Sequence, residues 1–132
     1  MIRENTFLDC DYNGGPGNAV IAINPSNSVI NANRPVHKNI RIENNLFKSF
    51  NTPLLFAKST EGILFANNTV ERTMQLRFSA KNDIMFYLNG CKDVTIRNVI
   101  CKEGVSNKEI YIDNMKRAYV KKPVGMNIRI AK

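Results

Sequence analysis

Two aspartates, Asp9 and Asp11, are the side chains in this sequence whose spacing best fits acid/base chemistry. Cleavage of a glycosidic bond needs one carboxylic acid to protonate the leaving oxygen. It also needs a second carboxylate, roughly 5–10 Å away, to activate water or to attack directly. Asp9 and Asp11 stand two residues apart at the mouth of a glycine-rich loop, where they can share a face. The alternative interpretation, that both are solvated turn residues, is favoured. Asp9 and Asp11 nevertheless remain the catalytic candidates of the sequence.

Asn24 and His37 lie at the two ends of a second polar loop and are candidates for contact with a bound ligand. For His37 the alternative of an ordinary surface histidine is favoured. Asp83, Asp93 and Asp113 stand at the edges of strand-like segments and are interpreted as turn residues. No Ser-His-Asp or Cys-His arrangement can be argued, and the glycine-rich loop lacks the Lys-Ser/Thr pair of a phosphate-binding loop.

Three cysteines, Cys10, Cys91 and Cys101, cannot all pair with one another. Their spacings match no metal-binding motif, and the chain has one histidine, so neither a metal site nor a cofactor is predicted. Unpaired cysteine behaves as a small core residue. We therefore expect buried, unpaired thiols.

The chain of 132 residues carries 19 Lys and Arg against 11 Asp and Glu, a formal net charge of +8. The excess is spread thinly, with short clusters only at Lys116–Arg117 and Lys121–Lys122. A nucleic-acid binder concentrates its charge on a stripe with interleaved aromatic residues, so a nucleic-acid partner is not predicted. No apolar run approaches the roughly 18 residues that a membrane span needs.

A repeated pattern defines the elements that must position these residues. An apolar residue is followed three positions later by Asn or a substitute, and two positions after that by a second apolar residue. The pattern recurs as IRENTF, IENNLF, FANNTV and IRNVIC, in rungs near 2–7, 42–47, 65–70 and 96–101. Alternation at a period of two indicates strands, and recurrence of one unit indicates stacked rungs.

A bend is needed within each rung, because Phe47 stands five residues after Ile42 and yet must return to the same interior. Asparagine tolerates the left-handed backbone of such a bend. Asn5, Asn45 and Asn68 are therefore placed there, and in a stack their amides are expected to form a hydrogen-bonded ladder. Val99 at the fourth equivalent position predicts that the ladder ends at that rung.

A second apolar strand follows each rung, at 20–23, 54–57, 84–88 and 110–112. The sequence thus predicts an all-β fold, a right-handed parallel β-helix. It would be a single-stranded solenoid of about four to five coils, with residues 1–132 in one domain. The alternative is an antiparallel sandwich. Asn at a fixed offset and the constant spacing between strands argue against it.

Insertions in repeat proteins map to particular edges, which often bind ligands. Three long loops are predicted, at Asp9–Asn18, Asn24–Lys38 and Glu71–Asn82. The first and third leave from the same corner, after Phe7 and Val70, so we expect them to lie on one side of the stack.

The two ends of the stack are predicted to differ. Ala118–Val120 should begin a fifth rung with Pro123 at the ladder position, and Met126–Ile130 should fold over it, which makes 115–132 an end-capping coil. Ile2 has no such cap. We therefore expect a piece of a longer chain, with self-association possible through the uncapped first coil.

Four stretches of the sequence occur in a characteristic order: NTFLDCDY, GNAVIAINPSN, VHKNIRIENNLF and TPLLFAKSTEGILFANNTV. Together they resemble the C-terminal part of glycoside hydrolase family 110, the bacterial α-1,3-galactosidases. The resemblance covers roughly half of the chain. It implies a secreted or periplasmic enzyme that removes terminal α-1,3-linked galactose with inversion and without a metal. Family members are several times longer and carry their catalytic aspartates on earlier coils, so no catalytic residue is transferred to this sequence.

Two functions are carried forward. The first is a C-terminal β-helix segment of such a glycosidase, inactive by itself, whose parent protein acts on a galactose-containing glycan. The second is a non-catalytic carbohydrate-binding or structural β-helix module. Sparse aromatic residues and the absence of tryptophan count against a platform for stacking sugars.

Overall fold

A computed structural model describes residues 1–8, 19–25, 30–49, 53–72, 84–105 and 108–131. These residues form fourteen short strands and a single 3-10 turn at Arg117–Tyr119, with no α-helix among them. Accordingly, the described part of the chain holds no helix of the length and hydropathy that crossing a bilayer requires.

The strands form three sheets along the stack, two with five strands and one with four. In spatial order, the first sheet holds β1 (Ile2–Arg3), β4 (His37–Glu43), β7 (Thr60–Ala66), β10 (Lys92–Arg97) and β13 (Val120–Lys121). The second sheet holds β2 (Thr6–Leu8), β5 (Leu46–Ser49), β8 (Thr69–Arg72) and β11 (Ile100–Cys101). The third holds β3 (Ile21–Ile23), β6 (Leu55–Lys58), β9 (Ile84–Asn89), β12 (Glu109–Asp113) and β14 (Asn127–Ile130).

Each coil takes one strand from each sheet before the chain steps to the next coil, and every strand pair is parallel. Coils 1 to 4 are β1–β3, β4–β6, β7–β9 and β10–β12, and coil 5 contributes β13 and β14. The predicted parallel β-helix is confirmed. The antiparallel sandwich is excluded, because consecutive strands lie in different sheets and do not pair as hairpins.

Alternate residues of all three sheets point into one continuous core. Phe47, Phe65 and Phe86 are fully buried there, and the Phe47 ring stacks between Phe7 at 5.0 Å and Phe65 at 5.6 Å. Burying a phenylalanine side chain contributes roughly 1.5–3 kcal/mol. Stacking like residues at equivalent positions lets each coil add to this core without a new packing arrangement.

Between the first and second sheets the chain turns through two residues in each of coils 1 to 4. This asparagine corner consists of Glu4–Asn5, Asn44–Asn45, Asn67–Asn68 and Asn98–Val99. The left-handed residue is the first of each pair, with φ of 58° at Glu4, 56° at Asn44, 57° at Asn67 and 49° at Asn98. The prediction that Asn5, Asn45 and Asn68 take this conformation is wrong. They follow the left-handed residue, and Asn45 and Asn68 are buried.

The inward asparagines are joined along the stack. The Asn5 backbone N–H donates to Asn45 Oδ1 at 3.0 Å, and the Asn45 N–H donates to Asn68 Oδ1 at 2.9 Å. The Asn45 amide nitrogen also donates to Asn68 Oδ1 at 3.0 Å and to the Ile2 carbonyl at 3.1 Å. Val99 follows at the next position and offers no side-chain acceptor. The row of inward asparagines therefore spans coils 1 to 3.

Coil 5 differs from its prediction in two respects. Val120 pairs with Val94, and by this register Gly125 is the equivalent of Val99, so the prediction that Pro123 occupies the ladder position is wrong by two residues. Met126–Ile130 does not fold over the stack, because β14 joins β12 as a further parallel strand of the third sheet. The apolar alternation of Ile128 and Ile130 is thus that of a sheet strand continuing the coil.

Candidate functional site

The outer side of the asparagine corner forms an open groove of ≈ 560 Å³ that crosses several coils. Its lining combines amides, hydroxyls, carboxylates and one amine with a single aliphatic side chain. The lining residues are Glu4, Asn5, Thr6, Asn44, Asn45, Leu46, Asn67, Thr69, Glu71 and Lys102.

The local backbone explains why this groove is polar. At each corner the left-handed residue is exposed, whereas the next residue is buried in coils 2 and 3. One row of polar side chains is thus turned outward beside the inward row. The outward row is itself joined at one step, where the Asn98 amide nitrogen donates to Asn67 Oδ1 at 2.7 Å.

The second sheet supplies the other wall. Thr6, Leu46 and Thr69 occupy one register position on β2, β5 and β8, so their side chains follow one another along the stack. Glu71 lies two residues beyond Thr69 on the same strand. Amides, hydroxyls and carboxylates offer both donors and acceptors, the combination that a sugar hydroxyl needs.

Of the four candidate residues from the sequence, the two that are described, Asn24 and His37, are not among the residues that line this groove. Asp9 and Asp11 fall outside the described residues, as do Asp83 and most of the first and third loops. Asn24 follows β3 and His37 begins β4, and both are exposed. These two residues flank the turn from the third sheet to the first, which is a different corner of the coil from the groove.

The described end of the second loop packs onto that turn. The Val36 and His37 N–H groups both donate to the Ser59 carbonyl, at 2.7 and 3.2 Å. A Cβ added at Gly90, whose φ is 65°, would meet the Cγ2 of Ile30 at 2.4 Å. Glycine at 90 is therefore needed for close approach as well as for backbone conformation.

An aromatic row lies on the outer face of the third sheet. The Phe56 and Tyr87 rings stack at 5.1 Å, the Tyr87 and Tyr111 rings stack at 4.7 Å, and the Arg129 guanidinium lies 5.3 Å from the Tyr111 ring. Burial raises the pKa of Tyr87, and the neighbouring Tyr111 and Asp113 raise it further. Both faces of Tyr87 are covered, and a sugar needs an open ring face on which to stack.

Two of the three cysteines are described, and both are free. Cys91 is buried and its thiol donates to the Ala57 carbonyl at 3.4 Å, while Cys101 is half-buried. Burial raises the pKa of both thiols, and Lys108 partly offsets this at Cys101. In the residues with assigned positions, no three His, Cys, Asp or Glu side chains are grouped to hold a metal ion.

Sequence reasoning missed the groove because it followed acidic and histidine residues, whereas the groove is built mainly from amides and threonines. The available signal was the doubled asparagine in Asn44–Asn45 and Asn67–Asn68. One asparagine of each pair faces the core and the other faces solvent. The aromatic row could likewise have been found from the equivalent positions of Phe56, Tyr87 and Tyr111 in successive coils.

No protein-family model matches the chain. It is 53% identical over 121 residues to the α-1,3-galactosidase A of Bacteroides fragilis (strain YCH46), a match covering 92% of this chain and 20% of that protein. It is 38% identical over 105 residues to the α-1,3-galactosidase B of Bacteroides thetaiotaomicron, covering 78% of this chain and 17% of that protein.

A third relative, the α-1,3-galactosidase B of Akkermansia muciniphila, is 43% identical over 72 residues, covering 53% of this chain and 9% of that protein. The chain thus spans about a fifth or less of the length of these relatives. The resemblance to glycoside hydrolase family 110 that its rungs indicate is confirmed, and the chain is a relative of a segment of the α-1,3-galactosidases.

Proposed function

We propose that this chain is a C-terminal β-helix segment of a glycosidase that hydrolyses terminal α-galactosyl linkages, and that the segment alone is inactive. The identity of 53% across 92% of the chain to an α-1,3-galactosidase A carries the proposal. An identity this high across four rungs means that the relative shares the coil pattern, and with it the scaffold.

The proposed inactivity follows from how much of the relatives the chain spans. Because only 20% of the length of that galactosidase corresponds to this chain, the larger part of the relative has no counterpart here. The described carboxylates Glu43, Glu61 and Glu109 lie in ion pairs with Arg41, Lys38 and Arg129, at 3.2, 3.9 and 3.3 Å. Each of these carboxylates is thus already engaged by a neighbouring cation of the same chain.

The parent protein is proposed to act outside the cytoplasm, secreted or periplasmic, on a galactose-containing glycan. Terminal α-galactosyl linkages occur on glycans displayed outside the cell, so an enzyme of this kind would meet its substrate there. A parallel β-helix suits such a place, because every interior coil has its strand edges paired with those of its neighbours.

Activity is the test of this proposal. The chain should release no galactose from a chromogenic α-galactoside or from an α-1,3-linked galactobiose, followed by a time course at high protein concentration. Asp9→Asn and Asp11→Asn should leave this baseline unchanged. Turnover by the unmodified chain that Asp9→Asn abolishes would contradict the inactive segment and would assign catalysis to the first loop.

The alternative function, a non-catalytic carbohydrate-binding module, is favoured by one observation, the polar groove at the asparagine corner. If it holds, the chain should bind galactose-containing oligosaccharides without cleaving them, as saturation-transfer NMR would show. Thr69→Val removes a hydroxyl from the groove and should weaken binding. Thr95→Val removes one from the first sheet outside the groove and is the matched control. Equal binding by both variants would exclude the groove as the binding site.

A further inference from the structure

Basic side chains that are distant in the sequence lie on two neighbouring coils of the fold. β10 contributes Lys92 and Arg97 to the first sheet, and the chain around β13 brings four more basic residues to the neighbouring coil. We call this set the basic face: Lys92, Arg97, Lys116, Arg117, Lys121 and Lys122. All of them are exposed except Lys92, which is half-buried.

Strand register fixes the arrangement. Lys121 pairs with Thr95, which stands two residues before Arg97 on the outer side of β10. Arg97 is therefore the diagonal neighbour of Lys121 on the adjacent strand, a separation of about 7–8 Å that long side chains can span. The two short clusters at 116–117 and 121–122 thus join the cations of β10 in one surface.

The Tyr119 ring contacts two of these cations. The Lys92 ammonium lies 5.4 Å from the centre of the Tyr119 ring, and the Lys116 ammonium lies 5.9 Å from it. The ring attracts each ammonium by a cation–π interaction, so one side chain holds a cation from β10 and a cation from the chain that precedes β13.

The described carboxylates do not form ion pairs with the basic face. In and beside the same sheet on coils 1 to 3, Arg3 pairs with Glu4 at 3.6 Å, Lys38 with Glu61 at 3.9 Å and Arg41 with Glu43 at 3.2 Å. Across the described ranges, no carboxylate lies within 4.0 Å of a basic-face cation. Asp93 is the nearby acidic residue on β10, and it is exposed.

We infer that the basic face binds a polyanionic glycan, one that carries sulfate or carboxylate groups. A nucleic acid fits less well, since single strands need aromatic faces for base stacking, and two lysines already engage the Tyr119 ring. The described part of the chain also offers no α-helix to enter a duplex groove. The choice of a glycan over other polyanions rests on the proposed function, whereas the anion-binding surface itself does not.

Calorimetry with a sulfated glycosaminoglycan tests the inference at several salt concentrations, on the full chain. The basic-face variant carries Lys116→Gln, Arg117→Gln, Lys121→Gln and Lys122→Gln. The control carries Arg3→Gln, Lys38→Gln, Arg41→Gln and Lys48→Gln, so that both have a formal charge of +4 in place of +8. Thermal unfolding establishes that both variants are folded.

The basic-face variant should bind at least about 30-fold more weakly than the unmodified chain, and the control within about threefold, with a shallower salt dependence only in the former. A neutral galactan should not displace the glycosaminoglycan from the basic face. Equal losses in both variants, or no binding at physiological salt, would overturn the surface. Duplex or single-stranded DNA binding as tightly as the glycan would overturn the assignment to glycans. None of these readings involves α-galactoside hydrolysis, so the proposed function stands or falls separately.

Discussion

Coils 1 to 3 and coils 4 to 5 follow the same path but are stabilised differently. In coils 1 to 3 the asparagine corner carries the hydrogen-bonded row Asn5, Asn45 and Asn68. In coil 4 the equivalent residue is Val99, yet the preceding residue, Asn98, keeps a left-handed φ of 49°. The corner conformation therefore does not depend on the ladder. It depends on the left-handed residue, and the ladder is an additional source of stability.

On the first sheet, the pairing of basic with acidic side chains changes at the same boundary. The first sheet pairs Lys38 with Glu61 and Arg41 with Glu43 in its earlier coils, whereas the basic face on coils 4 and 5 has no such partners among the described residues. On this sheet, the unpaired charge of coils 4 and 5 therefore remains available to a ligand.

The largest expected effect is at the centre of the ladder. Asn45→Ala removes an acceptor for the Asn5 N–H and donors to Ile2 and Asn68, within a site that is 3% exposed. Losing several buried hydrogen bonds should lower the free energy of unfolding by about 3 kcal/mol. Urea unfolding measures this change.

The control for that variant is Asn98→Gly, which removes an exposed amide and keeps the left-handed backbone accessible. It should change the free energy of unfolding by no more than about 0.5 kcal/mol. If Asn45→Ala and Asn98→Gly were equally tolerated, the buried row would not stabilise coils 1 to 3.

Extending the ladder is expected to have a smaller effect of opposite sign. Val99→Asn supplies a side-chain acceptor in coil 4 at the position that follows Asn68, and one additional hydrogen bond should raise the free energy of unfolding by about 1 kcal/mol. Val99→Ala should lower it by about 1 kcal/mol, because the half-buried site loses apolar contact. If asparagine proved as unfavourable as alanine there, coil 4 would differ from coils 1 to 3 in more than one side chain.

The surface ion pairs should contribute less. Arg41→Gln removes the partner of Glu43 and should cost about 0.5 kcal/mol at low salt, diminishing as salt is added, because the pair is partly exposed. Lys121→Gln on the basic face should cost nothing measurable. Chemical unfolding at low and high salt compares the two variants. An equal loss in the free energy of unfolding would show that the Arg41–Glu43 pair contributes no more than the unpaired Lys121.

The smallest effect at neutral pH comes from the Cys91 thiol. Burial raises its pKa in the folded chain, so its contribution to stability is fully present below the unfolded thiol pKa of about 8.5 and is lost as pH rises through the folded value. Stability should decline on this alkaline side, and less steeply in Cys91→Ala. Identical slopes in thermal unfolding between neutral and alkaline pH would show that Cys91 does not contribute.

Much of the fold could be predicted because the same sequence pattern recurs in each coil of a solenoid. The alternation at Ile40–Ile42, Ile63–Phe65 and Val94–Ile96 predicts three neighbouring strands, and these strands pair in that register. The left-handed position was misplaced by one residue, because Asn44–Asn45 and Asn67–Asn68 offer two asparagines each. Backbone tolerance alone does not tell which one turns inward.

The basic face was less accessible to sequence reasoning than the fold. Lys92 and Lys116 are 24 positions apart in the chain, and only the pairing of β10 with β13 brings them to one tyrosine ring. Coil 5 was misaligned by two residues because its apolar pattern is short and Pro123 looked like a substitute for asparagine. Register in such a coil is fixed by tertiary packing onto its neighbour.

Hydrogen exchange of the asparagine side chains tests directly whether a hydrogen-bonded amide row, buried at Asn45 and Asn68, distinguishes coils 1 to 3 from the rest of the stack. The amide protons of Asn45 and Asn68 donate to buried acceptors, whereas those of Asn98 lie on the surface. Heteronuclear NMR should show exchange at Asn45 and Asn68 at least about 100-fold slower than at Asn98. Exchange at similar rates for all three would contradict the ladder and the proposed difference between coils 1 to 3 and coil 4.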